Sequence, residues 1–212
     1  MPKAADRRRS PTQRRAKATR EHILDTAARL FGERGVSGTS TNRIAAEAQV
    51  SIGTLYRYFT DRAVIVEELL TRLLEGIEQR VTELADDTDD MSIRERYSTI
   101  VDVIFEEMAA NAGLVRALVG GVHFYNTAIP QFEPRLHLST RAVLVKVLGP
   151  GATREFDYDT MTFVIINTIF AAVVRASATE IDEDFRAETV EMTGRMIGTW
   201  IESEAGQAAG AS

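Results

Sequence analysis

Ile44-Ala45-Ala46-Glu47-Ala48-Gln49-Val50-Ser51-Ile52-Gly53-Thr54-Leu55-Tyr56-Arg57-Tyr58-Phe59 is the stretch whose reading decides the fold. A helix-turn-helix needs a small residue where its second helix crosses the first, a chain reversal four residues later, and an apolar anchor in the second helix. Ala45, Gln49 and Leu55 occupy those positions, and Val50 fills the core beside the turn. Leu55 and Phe59 lie one turn apart and form the buried line. A 100° step per residue then sets Gly53 and Arg57 furthest from the core, with Thr54 and Tyr56 on the flanks.

Upstream, Ile23, Ala27, Leu30 and Phe31 recur at helical spacing from Thr19 onward, and Gly35 ends that helix. Ser40 or Thr41 caps a second helix with an inward face of Ile44, Ala45 and Ala48, and Ser51 caps the third. Three helices share one small core. The outward side chains suit a DNA groove: Gly53 lets the backbone approach, Thr54 offers a hydroxyl and a methyl, and Arg57 suits phosphate or guanine. Tyr56 and Tyr58 carry polar tips suited to phosphate.

The 212-residue chain has a net charge of −6, which by itself disfavours nucleic acid, but the charge is unevenly spread. Through Arg62 there are 13 Lys/Arg against 6 Asp/Glu, and beyond it 12 against 25. A basic reading head on an acidic body produces this split. Residues 1–18, with Arg7, Arg8, Arg9, Arg14, Arg15 and Lys17 and no apolar periodicity, read as a disordered basic arm. It either reaches a neighbouring minor groove or only aids solubility.

Cysteine is absent, so there is no disulfide or thiolate site. The polar, basic start does not read as a secretory signal, and the longest apolar run, Phe163 to Val174, is interrupted by Asn167 and Thr168 and too short for a membrane helix. A soluble cytoplasmic protein is expected.

After Asp61, a plausible N-cap, Val66, Leu69, Leu70, Leu73, Leu74, Ile77, Val81 and Leu84 make a long amphipathic helix, broken at Asp86-Asp87-Thr88-Asp89-Asp90. A fifth helix runs from Ile93 to Met108, and a short sixth ends at Gly120-Gly121. A seventh follows Pro130 and stops at Gly149-Pro150-Gly151. The eighth, from about Asp157 to Ala178, is apolar over most of its circumference and must be covered on all sides. In the ninth, 183–204, Gly194, Ile197, Gly198 and Ile201 share one line, and two interior glycines imply a close backbone approach. Residues 205–212 read as a flexible tail.

The segment from Ile44 to Arg62, and above all its GTLYRYF core, resembles the TetR family of transcriptional regulators over about Thr19 to Leu70. The resemblance implies that Ser40, Thr41, Asn42 and Arg43, with Ser51, Ile52, Gly53, Thr54, Tyr56, Arg57 and Tyr58, belong to the DNA-facing set. It implies that Arg62 holds phosphate where the family usually has lysine. Gln49 stands where glycine is common, so a side chain must accept a left-handed conformation. The family pattern also implies pairing of the eighth and ninth helices with their mates in a four-helix bundle, and an inducer cavity in the body.

The expected architecture is therefore all-α with about nine helices: a three-helix DNA-binding domain over 19–66, then a larger ligand-binding and dimerisation domain over 67–204. Candidate cavity residues are Phe105, Met108, Leu118, Phe124, Tyr125, Phe132, Phe163 and Phe170, each of which is alternatively plain core. Asn167, an amide in a greasy helix, calls for a partner, either a ligand or another helix. His123, Glu133 and His137 are too sparse for a metal site, and nucleophile and phosphate-loop motifs are missing. No cofactor and no catalysis are expected.

The function expected is a homodimeric repressor that leaves a palindromic operator when a small lipophile binds. The alternatives are an activator without small-molecule control, or a helical ligand-binding protein or enzyme with a vestigial head. Ligand, operator sequence and regulated genes depend on cavity shape and genomic context.

Overall fold

The computed structural model describes residues 11–87, 91–119, 129–148, 158–178 and 182–210. These hold nine helices and no strand: α1 (Pro11–Arg34), α2 (Thr41–Glu47), α3 (Ile52–Tyr58), α4 (Arg62–Asp87), α5 (Ile93–Ala110), α6 (Ala112–Val119), α7 (Ile129–Leu148), α8 (Tyr158–Ala178) and α9 (Glu183–Gly210). The all-α architecture expected from the sequence is the one observed.

Local chemistry sets the boundaries of the head. Pro11 opens α1, where a missing N–H costs nothing and the fixed φ favours a helix. Gly35 closes it at φ +72°, donating its N–H to the Phe31 carbonyl at 2.8 Å. The Ser40 side chain accepts the Arg43 N–H and caps α2, Ser51 accepts the Thr54 N–H and caps α3, and Asp61 accepts the Val64 N–H ahead of α4. Ile23, Leu24, Leu30 and Phe31 of α1 bury against Ile44, Leu55, Phe59, Ile65 and Leu69.

Two helices tie head to body. Leu69 and Leu70 of α4 belong to the head core while Leu73 and Ile77 of the same helix belong to the body core. The 66/67 division drawn from the sequence thus falls inside one unbroken helix, not in a linker. Leu114 and Leu118 of α6 also enter the head core. There α1 and α6 cross so closely that a Cβ on Gly113 would sit 3.1 Å from the Gly32 Cα.

The body core gathers Tyr97, Val101, Phe105 and Met108 of α5, Leu144 of α7, Ile165 and Val173 of α8, and Ile197 and Ile201 of α9. A capping box starts α5, Ser92 and Glu95 satisfying each other's backbone N–H groups. Those bonds, first from the Ser92 side chain and then from its backbone, hold the Glu95 carboxyl below its usual range.

Three expectations need correction. Residues 11–18 are helical, not a disordered arm, because Arg, Lys, Ala and Gln are good helix formers and α1 already supplies the nucleus. The ninth helix continues through 205–210, where a loose tail was expected. The Gly194 and Gly198 line packs within the chain, against α5, and not on a mate: a Cβ at either would lie 2.4 Å from the Cα of Ser98 or Arg94.

Candidate nucleic-acid interface

The turn between α2 and α3 is built around one unusual backbone angle. Gln49 has φ +53°, the left-handed conformation expected from the sequence, with its N–H on the Ala46 carbonyl at 3.1 Å. Val50 N–H reaches the Ala45 carbonyl at 3.0 Å and closes the reversal. His22, which the sequence reading passed over, braces the same turn from α1, its Nε2 lying 3.2 Å from the Ala48 carbonyl oxygen. Arg20 pairs with Glu68 of α4 and stacks its guanidinium 5.3 Å from the Phe59 ring centre. No apolar period marks His22 or Arg20, so only their place in the fold reveals them.

With Leu55 and Phe59 fully buried, α3 turns Ile52, Gly53, Tyr56 and Arg57 to solvent. Ser40, Asn42 and Arg43 of the α2 start are exposed with them, as is Ser51, while Thr41, Thr54 and Tyr58 are half-buried. The face is partly pre-organised. The Tyr56 hydroxyl and Thr41 Oγ1 share a hydrogen bond at 3.1 Å, and Ser51 Oγ and Thr54 Oγ1 share one at 2.8 Å. The Arg57 guanidinium lies 5.6 Å from the Tyr58 ring centre.

Arg62, given a phosphate role by the resemblance, also has an intrachain task. Its Nη1 donates to the carbonyls of Val36 at 2.9 Å and Thr39 at 3.1 Å, so the side chain braces the α1–α2 turn.

The body holds a cavity of about 410 Å³ between α4, α5, α7 and α8, a size that fits a small ligand. Its apolar walls include Leu74, Ile77 and Val81 of α4, Ile104 and Met108 of α5, Leu136 of α7 and Ile166 and Phe170 of α8. The Tyr97 ring also lines it. Burial pushes the Tyr97 hydroxyl above the usual phenol range, and among the described residues that hydroxyl meets no hydrogen-bond partner.

Of the residues expected to line a cavity, Met108 and Phe170 do so. Phe105 is plain body core, and Leu118 belongs to the head core. Phe163 is 54% exposed on the outer side of α8, and Asn167, also exposed, donates Nδ2 to the Phe163 carbonyl at 2.8 Å. That carbonyl bond supplies the partner its amide required, so neither faces the cavity. Phe124, Tyr125 and His123 lie outside the described residues, as does the Phe132 side chain. The α4 wall was missed because the same apolar stripe serves as core and as lining.

A short helix pair on a braced turn, with polar and aromatic side chains held outward on a second helix, defines a helix-turn-helix DNA-binding regulator. Residues 23–69 match the bacterial regulatory proteins of the tetR family. Over that head segment the chain is similar to the family.

It is 28% identical over 158 residues to the nucleoid occlusion factor SlmA of Pasteurella multocida, covering 70% of this chain and 76% of that protein. Against the transcriptional regulator AcrR of Shigella flexneri it is 45% identical over 58 residues, 27% of either chain. A Staphylococcus aureus helix-turn-helix regulator matches at 31% over 119 residues, 55% of this chain and 63% of that one. In the latter two the match spans less than two thirds of the relative.

Among solved structures, a TetR-family regulator from Syntrophomonas wolfei superposes with a TM-score of 0.67 at 22% identity, covering 89% of this chain and 95% of that one. The fatty acid degradation regulator FadR of Bacillus halodurans gives 0.63 at 17%, covering 90% and 96%. These likenesses extend the shared fold through the body. The AcrR and Staphylococcus aureus relatives are both named as helix-turn-helix transcriptional regulators. No helix of the described residues is long and apolar enough to cross a membrane.

Proposed function

We propose that the chain is a homodimeric repressor that occupies a near-palindromic operator through Ser40, Thr41, Asn42, Arg43 and the α3 face, and leaves it when a small lipophile fills the body cavity. The observation that carries this reading is the double membership of α4: one wall of the cavity is the same rigid helix whose first turns are packed into the head core. A ligand that prefers one placement of Leu74, Ile77 and Val81 therefore biases the spacing of two heads about 34–36 Å apart. Taking the equilibrium from mostly bound to mostly free requires roughly 5 kcal/mol of differential affinity.

Pairing is supported by the outer sides of α8 and α9. Phe163 and Val164 on α8, and Phe185, Met192 and Met196 on α9, are all exposed, although Ile165, Ile169 and Val173 on the other side of α8 are buried. A two-fold contact of these faces would cover them.

The test uses the DNA upstream of the protein's own coding sequence, at one fixed salt concentration. Lipophiles that raise the melting temperature should weaken binding to that duplex at least tenfold, and Ile104→Trp, which fills the cavity, should abolish the effect while leaving the free protein bound. A stabilising lipophile that leaves duplex affinity unchanged overturns ligand control.

A further inference from the structure

On the outward side of α3 the hydroxyls are already engaged with neighbouring side chains. The Ser51 hydroxyl accepts the Thr54 N–H at 3.0 Å and is bonded to the Thr54 hydroxyl; the Tyr56 hydroxyl is bonded to Thr41. Arg57, further along, lies over the Tyr58 ring. What α3 presents instead is Ile52, its first residue, 38% exposed although isoleucine is among the most readily buried side chains. Beside it is Gly53, where an added Cβ would meet nothing nearer than the Ser51 hydroxyl at 3.9 Å. An aliphatic side chain next to open backbone can come close to a groove floor.

On the base edges of the major groove, the apolar group is the C5-methyl of thymine. We propose that Ile52 reads thymine by packing on that methyl, so that α3 selects its bases through apolar contact, with Gly53 providing the clearance. This rests on the DNA-binding face described above and goes further by naming the base and the group recognised. An isoleucine exposed without purpose would be indifferent to the methyl, which gives the test its contrast.

Preferred duplexes are first selected from a random pool with the full-length protein. In the selected consensus each thymine is then replaced by uracil in both half-sites, which removes the C5-methyl and leaves every hydrogen-bonding group in place. Burying one methyl corresponds to about fourfold in affinity, hence roughly fifteenfold for a symmetric pair. At one thymine position wild-type binding, read by fluorescence anisotropy at constant salt, should weaken by about that factor. Ile52→Ala should bind the thymine duplex correspondingly less well and discriminate thymine from uracil there by under twofold, with Ile52→Val intermediate.

Because Ile52 lies outside the head core, its variants should keep the wild-type melting temperature. The proposal is overturned if every uracil duplex binds within twofold of its thymine parent, or if Ile52→Ala remains as methyl-sensitive as wild type. A pool that yields no preferred duplex removes the DNA-binding reading and this inference together, a result distinct from a preferred duplex indifferent to its methyls.

Discussion

Gln49 is a residue whose conformation was legible before any coordinates: the helix-turn-helix spacing required a reversal there, and φ is +53°. A side chain in this region costs about 1–2 kcal/mol relative to glycine, and glycine's greater loss of freedom on folding returns part of that. Gln49→Gly is therefore expected to stabilise by roughly 0.5–1 kcal/mol, raising the melting temperature of a chain this size by about 1–4 °C. An unchanged or lower midpoint in a calorimetric scan would contradict the strain. Arg62 was less legible. Its position in the motif suggested phosphate, but which carbonyls lie within reach of its guanidinium depends on how the α1–α2 turn folds back, and the sequence does not encode that locally.

At the scale of elements, apolar periodicity located the helices, but it could not say which neighbour each face meets. The glycine line of α9 shows the difference. Its need for close approach follows from sequence, while its partner, α5, emerges only from the packing of Gly194 on Ser98 and Gly198 on Arg94. The same logic separates three glycines by consequence. Gly198→Ala forces a Cβ to within 2.4 Å of the Arg94 Cα, a backbone atom that cannot rotate away, so α5 and α9 must part. The expected loss is about 1–3 kcal/mol, and Gly194→Ala should behave alike. Gly76, inside α4 with nothing within 4 Å of its would-be Cβ, provides the opposite case. Gly76→Ala should gain about 1 kcal/mol of helix propensity. Urea midpoints of the three variants, compared at one protein concentration, check both signs.

For the whole molecule, the sequence made the head legible and left the body ambiguous. Head residues each satisfy a local demand, a cap, a turn or an anchor, whereas an apolar body residue reads the same whether it faces core, cavity or a second copy. Phe105, Phe170 and Phe163 illustrate the three outcomes: full burial, a place on the cavity wall, and exposure on the outside of α8. That last site permits a decisive test of assembly. Phe163→Asp adds a charge to a side chain 54% exposed in the single chain, so the protomer loses little on folding. In a paired bundle the same carboxylate is desolvated twice over by symmetry, a cost of several kcal/mol. The variant should thus keep its helical circular-dichroism signal and sediment as a monomer where wild type sediments as a dimer. Since a lone head engages one half-site without the gain from its linked twin, operator affinity should fall by at least a hundredfold. A Phe163→Asp protein that remains dimeric, or a wild type that is already monomeric at micromolar concentration, would remove α8 from the interface.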